Sequence, residues 1–390
     1  MNWLVLVESD LSRQFAMRTH VIELCKALDK FVSINLLSQT PPDELGEHIP
    51  YSTTRLPAVS FRPHNLTQMI NTMLAYHALK KVPEPINLLY VRLTAFGLGP
   101  LFFARQRGIL SIVEVNGIWI DEQSLSRRNL PLWKRLMFIP IQTIRGVSLR
   151  LACRLAKKVV VVTPQIGIFL ESQGIESKKI SVVQNGVNPD HFSPMEESTA
   201  RQGVGLPQDD QLIGFVGSLA AWQGVDLLIE AFSRLRSLAT QNTRLLIVGD
   251  GSERDNLEKL AKKLDCAESV IFSGFQDYEY IPAFIASCDV LVAPKRPLQS
   301  GYSTLKVFEA LSCARPVLAA RLPGLEIIEQ ADAGLLFNPE DSDDLGEKLS
   351  QILSMSADER QLLGENGRRW VLDNATWDQT AAKIYHLEYP

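Results

Sequence analysis

The chain has 390 residues, of which 46% are hydrophobic and 22% charged, and a net charge of −4. These proportions fit a soluble, well-packed enzyme of about two domains and exclude a disordered chain, a collagen-like fibre or a disulfide-stapled miniprotein. Residues 1–200 carry 22 Lys+Arg against 16 Asp+Glu, and the remainder 18 against 28; an overall basic nucleic-acid binder is excluded, while the first half is suited to face something anionic.

The sequence opens with Trp3-Leu4-Val5-Leu6-Val7, which reads as a strand that enters the fold directly, with no secretory leader. Further strand-like runs are expected at 31–37, 88–91, 110–115 and 158–163. A second series follows at 212–217, 244–249, 269–274, 289–294, 316–320 and 334–337. Helical patterns fill the gaps: in 226–238 the residues Leu227, Leu228, Ala231, Phe232, Leu235 and Leu238 mark one face. Such alternation predicts parallel sheets built from βαβ units. The fold class is therefore α/β, with two Rossmann-like doubly wound parallel-sheet domains. A first domain over 1–192, a polar linker over 193–210 and a second domain over 211–370 are expected, with ligand in the cleft the two domains face. Five spread cysteines without a CxxC pair (Cys25, Cys153, Cys266, Cys288 and Cys313) read as reduced core residues and predict a cytoplasmic location.

Residues 121–158 hold nine basic residues against Asp121 and Glu122, interleaved with Leu132, Trp133, Leu136, Met137, Phe138 and Ile139. This pattern suits an anionic membrane surface contacted through 127–158, where each charge contributes ~1 kcal/mol, or else a half-buried helix with a solvated basic face. The membrane reading implies peripheral attachment at the inner face of the membrane and a lipid-linked substrate. Downstream, 212–218 runs from a strand into a small-residue loop and then Trp222-Gln223-Gly224-Val225, with a helix behind it. Free N–H groups at such a turn favour a phosphate, although an ordinary βα turn looks the same. Gly249-Asp250-Gly251 lacks the third glycine of a dinucleotide fingerprint, because Arg254 stands there. In 299–311 a loop enters a helix with Lys306 and Glu309 on one side: a carboxylate able to accept vicinal hydroxyls and a lysine able to meet a diphosphate, or an exposed helical ion pair worth ~0.3–0.5 kcal/mol. Six scattered histidines offer no metal set, and Asp341-Ser342-Asp343 reads as a helix cap. His20, at helical spacing with Leu24 and Ala27, reads as a core or surface residue.

Taken in order, Glu114-Val115-Asn116-Gly117, Asn185-Gly186-Val187, Gly217…Gly224-Val225-Asp226, Val248-Gly249-Asp250-Gly251 and Leu305-Lys306…Phe308-Glu309-Ala310 resemble a GT-B glycosyltransferase of family 4. The resemblance covers nearly the whole chain and is loose before about residue 85. It implies a retaining transfer from a nucleotide-diphosphate sugar, held by the second domain, to a sugar or lipid-linked acceptor held by the first, with no further cofactor. It also implies that a C-terminal helix, about 371–390, returns to the first domain. By position, Glu309 would grip the donor ribose and Gly301, Tyr302, Ser303, Thr304 and Leu305 would face the sugar and phosphate. Gly274 and Phe275 would lie beside the base. Gly217, Ser218, Gln223, Gly224, Gly249 and Asp250 would line the donor site, and Asn116 stands where many members place a histidine near the reacting centre.

Three departures matter: Gly301 replaces the first of two glutamates, and Ser218 and Gln223 replace the arginine and lysine that meet the diphosphate. Loss of those cations removes several kcal/mol unless other charges replace them. Lys306, with Arg296 or Lys295 and backbone N–H groups of 217–225 and 301–304, is expected to do so. Catalysis would rest on Asn116, Lys306 and Glu309, by a metal-independent front-face substitution in which the departing phosphate takes the acceptor proton. A catalytically silent GT-B scaffold and a sugar-nucleotide epimerase remain as alternatives.

Overall fold

The computed structural model describes residues 1–13, 15–46, 48–60, 64–83, 85–93, 96–118, 139–238, 242–298, 301 and 303–388. They form two compact units, 1–185 with 377–390 and 186–376. Unit 1 is built on strands β1 (Asn2–Val7), β2 (Ser33–Ser38), β3 (Ser52–Arg55), β4 (Leu88–Arg92), β5 (Leu110–Val115), β6 (Lys158–Val161) and β7 (Ile180–Val182). Unit 2 is built on β8 (Gln211–Val216), β9 (Thr243–Val248), β10 (Val270–Gly274), β11 (Val290–Ala293), β12 (Val317–Ala320) and β13 (Gly334–Phe337). Both sheets are parallel, in the orders β3-β2-β1-β4-β5-β6-β7 and β10-β9-β8-β11-β12-β13. The apolar runs explain this: Leu6, Val7, Val159, Leu245, Leu246 and Ile247 are buried, as strands covered on both faces require.

Strand order reverses between β1 and β4 in unit 1 and between β8 and β11 in unit 2. The crevice beyond the carboxyl ends of such a pair is where doubly wound sheets take ligands. The chain leaves these points at Glu8 and Arg92 in unit 1, and through 217–224 and 294–296 in unit 2.

The structure departs from expectation at three places. Strands β3 and β7 were not expected; both are outermost, and their residues, including Ser52, Thr53, Thr54 and Arg55, are half-buried or exposed, so they carry no apolar run. The stretch 193–210 is packed into unit 2. It contains helix Glu197–Gly203, whose Arg201 is 3% exposed and donates to the carbonyls of Ser287, Gln208 and Asp210 and to Asp289 Oδ2. A polar sequence was mistaken for a tether because it buries an arginine whose bonds are all met within the unit. At the other end, helix Ala357–Asn374 stays in unit 2, with Trp370 5.8 Å from Phe308, and the chain rejoins unit 1 only at Trp377. Helix Trp377–Tyr385 sets Trp377 edge-on to His20 and stacks Tyr385 against Trp3 and Phe31.

All five cysteines are free and buried. Among the described residues no helix is long and apolar enough to cross a membrane. Asp341 caps helix Ser342–Leu353, accepting from the N–H groups of Asp343 and Asp344 at 3.0 Å each.

Candidate functional site

In unit 2 the loop after β8 folds back over the sheet edge. Gly224, at φ +70°, sits so close to β11 that a Cβ would stand 2.0 Å from the Pro294 carbonyl oxygen. Gly249, at φ +133°, approaches the Gly217 carbonyl equally closely and gives its N–H to Gly274. These glycines fasten the three loops to one another. The N–H groups of Gly217, Leu219, Ala220 and Gln223 are likewise taken, by the carbonyls of Val248, Asp250, Ser218 and Ala220. The N–H of Gly301 goes to Leu298. Of the backbone donors expected to face a phosphate, at 217–225 and 301–304, those of Gly217, Leu219, Ala220, Gln223 and Gly301 are thus engaged within the loops.

The side chains tell a different story. Gln223 is buried and points its amide at Ser218 Oγ, 3.4 Å away. Around a void of about 30 Å³ it meets Lys295 and Lys306. Lys295, just beyond β11, is 5% exposed and donates to the Ser303 carbonyl at 3.2 Å. Burial, and then the neighbouring Lys306 ammonium, push its pKa down to about 8. Lys306, in the first turn of helix Leu305–Ser312, lies 3.1 Å from Glu309 Oε2, at ion-pair distance but without hydrogen-bond alignment. Glu309 is 1% exposed, so the exposed helical pair is not what forms. Glu309 also lies in the second turn of its helix, not at the helix start.

Arg296, named beside Lys295 as a source of charge, is committed elsewhere. Its guanidinium makes a two-pronged pair with Asp226, at 2.8 and 2.7 Å, and donates to the Ala221 carbonyl. Lys295 and Lys306 thus line one void with Gln223, where Ser218 and Gln223 themselves bring no charge. Of the other expected residues, Thr304 is buried and Phe275 is 49% exposed beyond β10. Asp250 holds its own loop, accepting from Gly251 N–H and pairing with Arg254 at 3.2 Å. Tyr302 lies outside the described residues.

Unit 1 carries a cluster that the sequence reading missed. Glu114, near the end of β5, is 2% exposed. It accepts from Tyr90 OH at 2.7 Å, from Arg92 Nη1 at 3.0 Å and from the Asn116 side-chain amide. His20 Nε2 lies 2.7 Å from Oε1 without hydrogen-bond alignment. Burial pushes the Glu114 carboxyl up, but the charges and hydrogen bonds of His20, Arg92 and Asn116 outweigh it and hold the group well below the usual range. Burial and Arg92 keep His20 below its ordinary value. We assign an ionised Glu114, with Arg92 as its counter-ion. Donation from Asn116 to Glu114 fixes its amide, leaving Oδ1 as the free acceptor. Glu114 was visible only as part of a motif; its partners come from β4 and from helix Phe15–Asp29, too far apart in sequence to signal one another.

Residues 17–191 match the family model described as Glycosyltransferase Family 4, and residues 196–370 the one described as Glycosyl transferases group 1. An uncharacterized glycosyltransferase of Methanocaldococcus jannaschii is 31% identical over 54% of this chain and 53% of that protein. The D-inositol 3-phosphate glycosyltransferase of Stackebrandtia nassauensis is 32% identical over 55% of this chain and 49% of that protein. The chain spans about half the length of the curated relatives it matches. Among solved structures, the sucrose-phosphate synthase of Thermosynechococcus elongatus superposes with a TM-score of 0.79 at 20% identity, covering 100% of this chain and 98% of that one. HepE of Anabaena, solved in complex with UDP, gives 0.74 at 18% identity with 99% of each chain covered. At these identities the likeness establishes the GT-B fold.

Proposed function

Because the chain belongs to the family 4, group 1 glycosyltransferases, we propose that it moves a sugar from a nucleotide-diphosphate donor to an acceptor, with retention at the anomeric carbon. The observation that carries this reading is the lysine pair. Lys295 and Lys306 line one small void, Lys306 pairs with Glu309, and burial and the Lys306 ammonium hold Lys295 at a depressed pKa. A diphosphate restores the balance, and charge-assisted hydrogen bonds to it are worth ~1.5–3 kcal/mol each. The lysines thereby stand in for the cations missing at Ser218 and Gln223. Glu309, buried with its Oε2 unaligned, is the acceptor proposed for the ribose hydroxyls. Gly274, Phe275 and the loop from Gly301 to Leu305 complete the donor site in this reading.

Asn116 holds the acceptor rather than deprotonating it, because an amide is no base. The leaving phosphate takes the acceptor proton as the new glycosidic bond forms, and no metal or further cofactor enters the step. The acceptor is a sugar or a lipid-linked sugar at an anionic cytoplasmic membrane face, part of a polysaccharide or glycolipid under construction; nucleic acid is not a partner.

The test is the anomeric configuration of the product, read by its proton coupling at the anomeric carbon, with Lys306→Ala in parallel. Retention in the product and loss of turnover in the variant support the proposal. Inversion, or wild-type turnover in Lys306→Ala, contradicts it. Conversion of donor to an epimeric sugar nucleotide would replace it with the epimerase, and absence of nucleotide binding with a silent scaffold.

A further inference from the structure

Helix His64–Leu79 in unit 1 sets Ala75 and Leu79 in the core, but in its first half polar residues point inward and apolar ones outward. Its inward positions include Thr67, Asn71 and Thr72, all buried, while Leu66, Met69 and Met73 point outward, with Met73 63% exposed. The inward polar groups are satisfied: Asn71 exchanges hydrogen bonds with the backbone of Val59, and Thr72 Oγ1 accepts from Gly99 N–H at 2.9 Å. The helix is thus held in this orientation by specific bonds and by Ala75 and Leu79 in the core, and it leaves Leu66, Met69 and Met73 to solvent.

Its neighbours repeat the pattern. Helix Leu98–Arg107 packs on it and exposes Phe102; helix Ile139–Leu155 packs on Leu98–Arg107 and exposes Ile144, Val147 and Leu151 at a spacing that lines one face. Arg145, on the other side of that helix, donates to Gln68 at 3.2 Å and so ties the first helix to the third. None of the three helices contains an Asp or Glu. From 48 to 113 the sequence has one acidic residue, Glu84, and from 123 to 170 none. Arg105, Arg107 and Arg154 are exposed among the apolar side chains, with Arg150 half-buried.

We infer that this three-helix face of unit 1 is a docking surface for an anionic lipid bilayer. Contiguous exposed apolar side chains mark a contact surface, and the choice of occupant follows from charge. A second copy of the same face would set arginine against arginine with no carboxylate to receive it. A bilayer offers both a hydrocarbon boundary for Met69, Met73, Phe102 and Val147 and phosphate headgroups for the arginines. Of the stretch 127–158 assigned to a membrane from sequence, 127–138 lie outside the described residues; the face assigned here uses the rest, helix Ile139–Leu155, and adds helices Leu98–Arg107 and His64–Leu79. The inference rests on the proposed transferase in one respect, that such a face would bring a lipid-linked acceptor to the enzyme.

The test is flotation of the full chain with phosphatidylcholine vesicles, with and without phosphatidylglycerol. Wild type should float with the anionic vesicles alone, and less at high salt. Arg150→Ala and Arg154→Ala should each weaken binding about fivefold. Met73→Asp and Val147→Asp should weaken it on the order of tenfold. A nucleotide-induced thermal shift equal to wild type in each variant shows that the fold and donor site are intact and keeps this result separate from the transferase reading. Failure to float with anionic vesicles, or wild-type flotation of all four variants, overturns the inference. So does a concentration-dependent dimer that Met73→Asp abolishes, which would assign the face to a second copy.

Discussion

Both units bury charge, and they leave it in opposite conditions. In unit 1 the Glu114 carboxylate is surrounded by Tyr90, Arg92, His20 and Asn116, and every charge has its counterpart. In unit 2, Lys306 pairs with Glu309, while Lys295 beside it donates to the Ser303 carbonyl and is pushed toward its neutral form. A buried charge that is fully met holds side chains in place; one that is left over marks where a ligand of opposite sign completes the set. By this reasoning Glu114 is proposed to position Asn116, and the lysines are proposed to receive the donor diphosphate.

The comparison breaks most visibly in stability. Glu114→Ala leaves Arg92 buried without its partner and should destabilise the protein by about 3–5 kcal/mol, measured by denaturant unfolding. Lys295→Met should do the opposite, leaving the free protein as stable as wild type or more so, because it removes a buried charge that is held beside a second ammonium. The same substitution, and Lys306→Ala, should weaken nucleoside diphosphate binding by about 10- to 100-fold, measured by calorimetry. Equal destabilisation by Glu114→Ala and Lys295→Met would erase the distinction between the two sites.

A change of pH sharpens it. Lys295 has a folded pKa near 8 against an ordinary value of 10.5, so its charging opposes folding at lower pH. Between these values the folded chain has released a proton that the unfolded chain still holds, so this group makes stability rise from pH 8 toward 10.5. Diphosphate affinity should fall over the same rise, and Lys295→Met should flatten both slopes. The smallest effect is expected at Arg296, whose charge is already spent on the partly exposed Asp226. Arg296→Ala should cost no more than about 1 kcal/mol of stability and leave nucleotide affinity within twofold.

What could be read from the sequence follows the same physics. Strands buried on both faces announced themselves as apolar runs, so eleven of the thirteen strands were anticipated to within a few residues, while the outermost β3 and β7, half in solvent, were not. Lys306 and Glu309 were found because they stand on one helix face. Glu114 and its partners were not, because β4, β5 and helix Phe15–Asp29 meet only in the folded sheet. Arg201 made a structural segment look like a linker, since composition does not reveal whether a polar side chain has its bonds met inside.

The most direct measurement of the central claim is calorimetric titration of the wild-type chain and the Lys295→Met/Lys306→Ala double variant with UDP, GDP and ADP at pH 7 and pH 9. The account predicts that one nucleotide binds wild type, more tightly at pH 7 than at pH 9, and that the double variant loses both the binding and its pH dependence while remaining folded. Wild-type affinity in a folded double variant would show that the diphosphate is held by other groups, and the assignment of the lysine pair would fall.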